Sequence, residues 1–171
     1  MKITGWVGEE EKCEVVRNIS FQIKKGEVLC LVGESGSGKS VTAFSIMQLF
    51  HGTTGMILGG KILVNGTNLA ELSEKEMQKR RGNEIAMVFQ EPMTSLNPVI
   101  TIGVQMARAM RLHQKLEKQK VREKSIQLLE KVGIKHAEKT LHAYPHEVSG
   151  GMRQRIMIAM AMINKPSLFN L

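Results

Sequence analysis

A chain of 171 residues, 42% hydrophobic and 23% charged, has the composition of a globular protein large enough to bury a core. No stretch approaches the roughly 18 consecutive apolar residues of a membrane span, and the N-terminal MKITGWVGEEEK lacks the apolar segment of a signal peptide, so a cytosolic protein is expected. Lys and Arg (24) outnumber Asp and Glu (16), but one Trp and one Tyr supply no aromatic stacking surface, so no nucleic-acid partner is expected.

In chain order, Cys13 and Cys30 are isolated and read as free thiols, with no C-x-x-C spacing to suggest a metal or a disulfide. Ile19, Phe21 and Ile23 alternate as in a half-buried strand, Lys24–Glu27 supplies a turn, and the continuous apolar run VLCLV (28–32) predicts a central strand covered on both faces. After a glycine-rich loop, helical spacing over 40–50 places Ala43, Ile46, Met47 and Phe50 on one face. A short strand follows over 59–66, then a basic helix over 74–81 and a strand over 84–90. Basic residues at 74–81 and 111–124 interleave with Glu at helical spacing, the pattern of a solvated face.

Beyond residue 90 the texture changes. EPMTSLNPVITI carries two prolines and leads into helices over about 102–114, 117–133 and 136–143, then a glycine turn and a helix over 150–164. Strands at both ends with helices between them predict a mostly parallel sheet carrying an inserted helical subdomain. Met152, Met157, Met160 and Met162 read as core packing, and His142 and His146 as loop residues without a third converging ligand.

Three stretches carry chemistry. GESGSGKS (33–40) fits G-x-x-x-x-G-K-[ST] and sits between an apolar run and a helix, the context that gives the pattern meaning. Gly33, Gly36 and Gly38 permit backbone that a Cβ would block, and the N–H groups of Ser37–Ser40 form an anion cradle at a helix start. Lys39 is placed to reach β- and γ-phosphates, and the Ser40 hydroxyl to ligate Mg2+. VSGGMRQR (148–155) offers a second helix N-terminus, with Ser149 as its cap. Gln90 ends the AMVFQ strand.

In this order the three stretches resemble the nucleotide-binding subunits of ABC transporters, over essentially the whole chain. FQEPMTSLNPV (89–99) and YPHEVSGGMRQR (144–155), with GESGSGKS, are similar to the oligopeptide/dipeptide importer branch, which also takes in nickel and glutathione importers. Met152, where most ABC proteins have Gln, is typical of that branch. The resemblance implies an α/β fold: a P-loop NTPase (RecA-like) core of the ABC ATPase type with an inserted α-helical subdomain. The implied division is a nucleotide-binding core over 1–90, a helical subdomain with the signature motif over 91–164, and the start of a core strand over 165–171. It implies ATP and Mg2+ as cofactors, with Gly33, Ser35, Gly36, Ser37, Gly38, Lys39, Ser40 and Val41 around the phosphates. Ser40 and Gln90 would complete the Mg2+ shell, Gln90 also sensing the γ-phosphate, and Trp6 would stack on adenine. Ser149, Gly150 and Gly151 would cap a nucleotide held by a second ATPase subunit. Met93, Leu96 and Pro98 would face a transmembrane permease. An extracytoplasmic binding protein would take part indirectly, and the protein would sit peripherally on the cytoplasmic face of the membrane.

The resemblance also implies an Asp-Glu pair at positions 172 and 173, beyond Leu171, on a strand lying beside the phosphate-loop strand. The expectation is therefore a sheet incomplete at the C-terminus and a chain inactive in ATP hydrolysis by itself. The alternative to an importer ATPase subunit is a truncated or frameshifted fragment of one that does not hydrolyse ATP. The run 28–32 would then expose apolar faces, and Asn170 would bury an unsatisfied amide at a cost of about 1–3 kcal/mol.

Overall fold

The computed structural model describes residues 2–7, 11–49, 56–89 and 95–171, and for residues 2–7, 11–14, 56 and 58 it describes the backbone alone. The chain forms two compact units, Met1–Gln78 and Lys79–Leu171.

In the first unit, β1 (Lys2–Val7), β2 (Glu11–Val16) and β3 (Met56–Gly59) form an antiparallel sheet in the order β2-β1-β3. The helix α1 spans Lys39–Ile46. Its buried face runs through Thr42, Ser45 and Met47, one position round from the predicted face, and Phe50 of that face lies outside the described residues. The shift is possible because the buried hydroxyls find partners inside the helix: Thr42 Oγ1 donates to the Gly38 carbonyl at 2.9 Å and Ser45 Oγ to that of Val41. Within the predicted strand 59–66, the chain instead makes a hairpin of β4 (Leu63–Val64) and β5 (Thr67–Asn68). Asn65 and Gly66 turn it with positive φ angles of 48° and 80°, which the Asn-Gly pair accommodates at low cost. Asn68 Oδ1 then accepts from the Ile62 and Ala70 N–H groups, seating a short 3-10 turn (Leu69–Glu71) whose Leu69 is fully buried. The basic helix α2 (Glu74–Arg80) crosses from the first unit into the second, and Glu76 accepts from the Ser73 N–H at 2.8 Å to close its first turn.

Two predicted strands do not form: among the described residues, 19–23 and 28–32 carry no strand pairing. Val28 and Val32 are 90% and 92% exposed, and Phe21, Ile23, Leu29 and Leu31 are exposed as well. Cys30 is a free, exposed thiol. Apolar composition alone does not make a strand; it needs a neighbour to take its backbone bonds.

The second unit is built on a dense helical core. Helices α3 (Ile102–Arg111), α4 (Lys118–Lys131), α5 (Ala137–His142) and α6 (Gly150–Ala161) bury Ile102, Met106, Met110, Leu129 and Ile156 completely. The four helices start close to their predicted positions and end two or three residues sooner for α3, α4 and α6, with αR caps at Leu112 and Met162. Met157 lies in the core, and Met152 and Met160 pack against it, as the sequence predicts. Gly103 lets α3 approach α5: a Cβ there would lie 2.7 Å from the Leu141 carbonyl oxygen. His142 falls in the last turn of α5 rather than in a loop, and His146 stacks on Tyr144 with ring centroids 5.6 Å apart.

Beside the helices, β6 (Ile85–Met87) pairs in parallel with β7 (Leu168–Asn170), Ile85 opposite Leu168 and Met87 opposite Asn170. Among the described residues, the strand that pairs with β7 is β6. The entry to β7 is pinned by Ser167, whose N–H donates to the Glu84 carbonyl at 2.8 Å. Asn170 Nδ2 is buried without a hydrogen-bond partner, as the sequence predicts.

Candidate functional site

The phosphate loop sits in the first unit. Ser37 N–H donates to the Glu34 carbonyl at 3.2 Å, closing a turn across the loop. Gly36 and Gly38 adopt φ angles of 81° and 87°, a region that side chains resist. Gly38 is the N-cap of α1 in left-handed conformation, so the chain swings from loop to helix within one residue. Space is as demanding as conformation. A Cβ on Gly38 would lie 3.0 Å from Val16 Cγ2, and one on Gly33 would lie 2.6 Å from Ser37 Oγ.

Lys39, the first residue of α1, folds back over the loop. Its Nζ donates to the Gly33 and Glu34 carbonyls at 2.6 Å each and approaches Ser37 Oγ at 3.2 Å. The ammonium is therefore held at the loop mouth by the loop itself. Behind it, α1 offers its N-terminal N–H groups, which no helix can satisfy internally, and the helix has neither a side-chain cap nor an acidic residue in its first turn. Ser40, one residue further on, is exposed, and Val41 is half-buried. Beside the loop lies an open cleft of about 470 Å3, walled by Val15, Val16, Ile19, Phe21 and Leu31 and reaching Ser37 and Lys39. A charged group at one end and apolar walls at the other suit a ligand that is anionic at one end and flat or apolar at the other.

Of the other predicted site residues, Ser149, Gly150 and Gly151 form the start of α6 in the second unit. Ser149 Oγ accepts from the Met152 N–H at 3.3 Å, which makes it a true N-cap. Both glycines are exposed, and nothing lies within 4 Å of where a Cβ on Gly151 would be. Trp6 has its backbone in β1, opposite Lys12, but its side chain is outside the description. Gln90 and Met93 lie outside the described residues. Leu96 does not face outward: it is 3% exposed and belongs to the helical core, leaving Asn97, Pro98 and Val99 exposed in that turn.

Sequence reasoning missed two participants. Val16 packs against Gly38 from the end of β2, and no local pattern links residues so far apart. Gln105, buried in α3, braces the 97–100 turn, and an isolated Gln between apolar residues gives no motif to find.

With this geometry in view, comparison with known proteins is decisive for the family. Residues 16–171 match the model of the ABC transporter family, and the chain belongs to that family. It is 48% identical over 165 residues to the probable peptide ABC transporter ATP-binding protein y4tR of Sinorhizobium fredii, covering 96% of this chain and 49% of that protein. It is 49% identical over 155 residues to the oligopeptide transport ATP-binding protein OppD of Bacillus subtilis, covering 91% and 43%. Glutathione import ATP-binding protein GsiA of Salmonella choleraesuis matches at 45% over 165 residues, covering 94% and 26%. The chain spans about half the length of the first two relatives. Among solved structures, the ATP-binding cassette MJ0796 as a dimer in a post-hydrolysis state, bound to ADP and Pi, superposes with a TM-score of 0.82 at 25% identity, covering 98% of this chain and 71% of that one. The fold is that of the ABC ATPase cassettes, a P-loop NTPase core with a helical subdomain.

Proposed function

We propose that the chain is the nucleotide-holding part of the ATP-binding subunit of an importer of the peptide-transport branch, and that it binds ATP with Mg2+ at residues 33–41. The observation that carries this reading is Lys39, fixed over the loop by the Gly33 and Glu34 carbonyls at the start of α1. A preplaced ammonium and a helix N-terminus together neutralise a polyphosphate at little reorganisation cost. Gly33, Ser35, Gly36, Ser37, Gly38, Lys39, Ser40 and Val41 would surround the phosphates, and the Ser40 hydroxyl and Gln90 would ligate the metal. Mg2+, when bound, supplies charge neutralisation on the phosphate oxygens. Trp6 would stack on adenine. The capped, glycine-led start of α6, with Ser149, Gly150 and Gly151, would meet the γ-phosphate of a nucleotide held by a second subunit. The working assembly would be a dimer of such subunits on the cytoplasmic face of the membrane, bound to transmembrane permease subunits and served by an extracytoplasmic binding protein. Among the described residues no helix is long and apolar enough to cross a membrane, which fits a peripheral subunit. The division into a nucleotide-binding core over 1–90, a helical subdomain over 91–164 and a core strand from 165 follows from the same reading.

Turnover is a separate matter. All sixteen acidic residues are Glu and none is Asp, so the aspartate that phosphate-loop ATPases place in the Mg2+ shell is not supplied by these 171 residues. We expect this chain by itself to bind ATP without hydrolysing it.

Calorimetric titration of the chain with Mg·ATP tests the site. Lys39→Ala should weaken binding by about 10- to 100-fold, as expected for losing one or more charge-assisted hydrogen bonds. Unchanged affinity in that variant would place the nucleotide elsewhere. A steady ATPase rate in the wild-type chain that disappears in Lys39→Ala would overturn the claim of binding without turnover.

A further inference from the structure

The residue that holds the 97–100 turn is buried and polar where an apolar side chain would pack. On α3, Ile102, Met106 and Met110 are fully buried, and Gln105 lies beside them at 9% exposure. A carboxamide in that position costs free energy unless each of its groups is satisfied. Here they are. Gln105 Oε1 accepts from the Asn97 N–H at 3.0 Å, and Nε2 donates to the Asn97 carbonyl at 3.0 Å and to the Ile100 carbonyl at 2.7 Å. Bonding both the N–H and the C=O of one residue is what a neighbouring strand does; here a single side chain does it from inside the fold.

The turn has further ties of its own. Asn97 Oδ1 accepts from the Val99 N–H at 3.1 Å, and the Ile100 N–H donates to the Asn97 carbonyl at 3.3 Å. Leu96 anchors its entry in the core. The frame is equally fixed, because the Ile102 N–H donates to the Ala143 carbonyl at 3.0 Å and Gly103 permits the close contact with Leu141. Asn97, Pro98 and Val99 are exposed, and Pro98 and Val99 form the apex, Val99 at 78% exposure.

We propose that Gln105 is a positioning residue: its carboxamide fixes the Asn97–Ile100 backbone from within, so that the Pro98–Val99 apex is a preformed contact element rather than a pliable loop. What the apex serves, contact with the membrane-embedded partner, rests on the importer reading; how the apex is held does not. Neither Glu nor Met can replace the carboxamide. A carboxylate keeps the acceptor for Asn97 N–H but loses both donors and faces two carbonyl oxygens, and a thioether fills the volume but removes all three bonds, leaving the Asn97 carbonyl only the Ile100 N–H.

Hydrogen exchange resolved by residue, on the full 171-residue chain, tests the proposal. In Gln105→Met the Asn97 amide should exchange about ten-fold faster or more, the effect of one lost buried hydrogen bond, with protection in α4 and α6 unchanged. Gln105→Glu, nearly isosteric, should loosen Val99 and Ile100 although its acceptor remains. Wild-type protection at Asn97 in Gln105→Met overturns the proposal. So does a loss spread evenly over the helical core, which would make Gln105 a packing residue. If Gln105→Met fails to fold, the wild-type and Gln105→Glu chains decide: unchanged exchange at Val99 and Ile100 overturns it. None of these readouts depends on nucleotide, so a failure here is distinguishable from a failure of Lys39→Ala to weaken ATP binding.

Discussion

The two compact units solve the same problem differently. In the second, three helices turn Ile102, Met106, Leu129 and Ile156 inward onto one core, although Val99 and Leu112 stay exposed. In the first, the phosphate loop is well ordered by local bonds, yet the run that leads into it leaves Val28 and Val32 in solvent. Helices satisfy their own backbones and need only a packed stripe, whereas a strand needs a partner to be a strand at all. The hydrogen bonds within residues 33–39 are close in sequence, and the one distant contact named, Val16 against Gly38, comes from the end of β2.

The largest expected effect is in the helical core. Leu129→Ala should cost about 2–5 kcal/mol in urea denaturation, because the fully buried site loses its side chain and keeps a cavity. A loss below 1 kcal/mol would show the core to be looser than its burial implies. Gly103→Ala should cost about 1–3 kcal/mol, since the new methyl meets the Leu141 backbone and not a yielding side chain. Asn170→Ile should move stability the other way, by about 1–3 kcal/mol, through removal of an unpaired buried amide on β7. The smallest effect is expected in the first unit. Replacing Val28 and Val32 by Lys should leave the unfolding free energy within about 0.5 kcal/mol while reducing light scattering in concentrated solution. A large destabilisation by that pair would mean the run is buried in solution, and the contrast between the units would fall.

Legibility in the sequence follows the same division. The phosphate loop could be read from eight residues because its chemistry is local: glycines where φ is positive, a lysine one turn-width from the carbonyls it bonds. The helices could be read from their period, and the Met-rich α6 packs as its spacing implies. The face of α1 was misplaced because Thr42 and Ser45 hide their hydroxyls in the helix backbone, which no hydropathy pattern registers. The strand at 28–32 was legible in composition, but its realisation depends on long-range pairing. Likewise β7 is identifiable as a strand, and its partner β6, more than eighty residues earlier, is not written in either segment. Gln105 was invisible for a different reason: its role lies in three backbone groups of other residues.

The start of α1 has one more consequence. The helix begins without a side-chain cap and without an acidic residue to meet its dipole. If the proposed nucleotide site holds, an anion in the loop would do for this helix what a serine or aspartate does for others, as a structural component of the first unit. Folding and ligand concentration would then be linked: each tenfold increase in free nucleotide above its dissociation constant would add about 1.4 kcal/mol to the unit's stability. On that proposal a phosphate-bearing ligand is, for this unit, a folding partner as well as a guest.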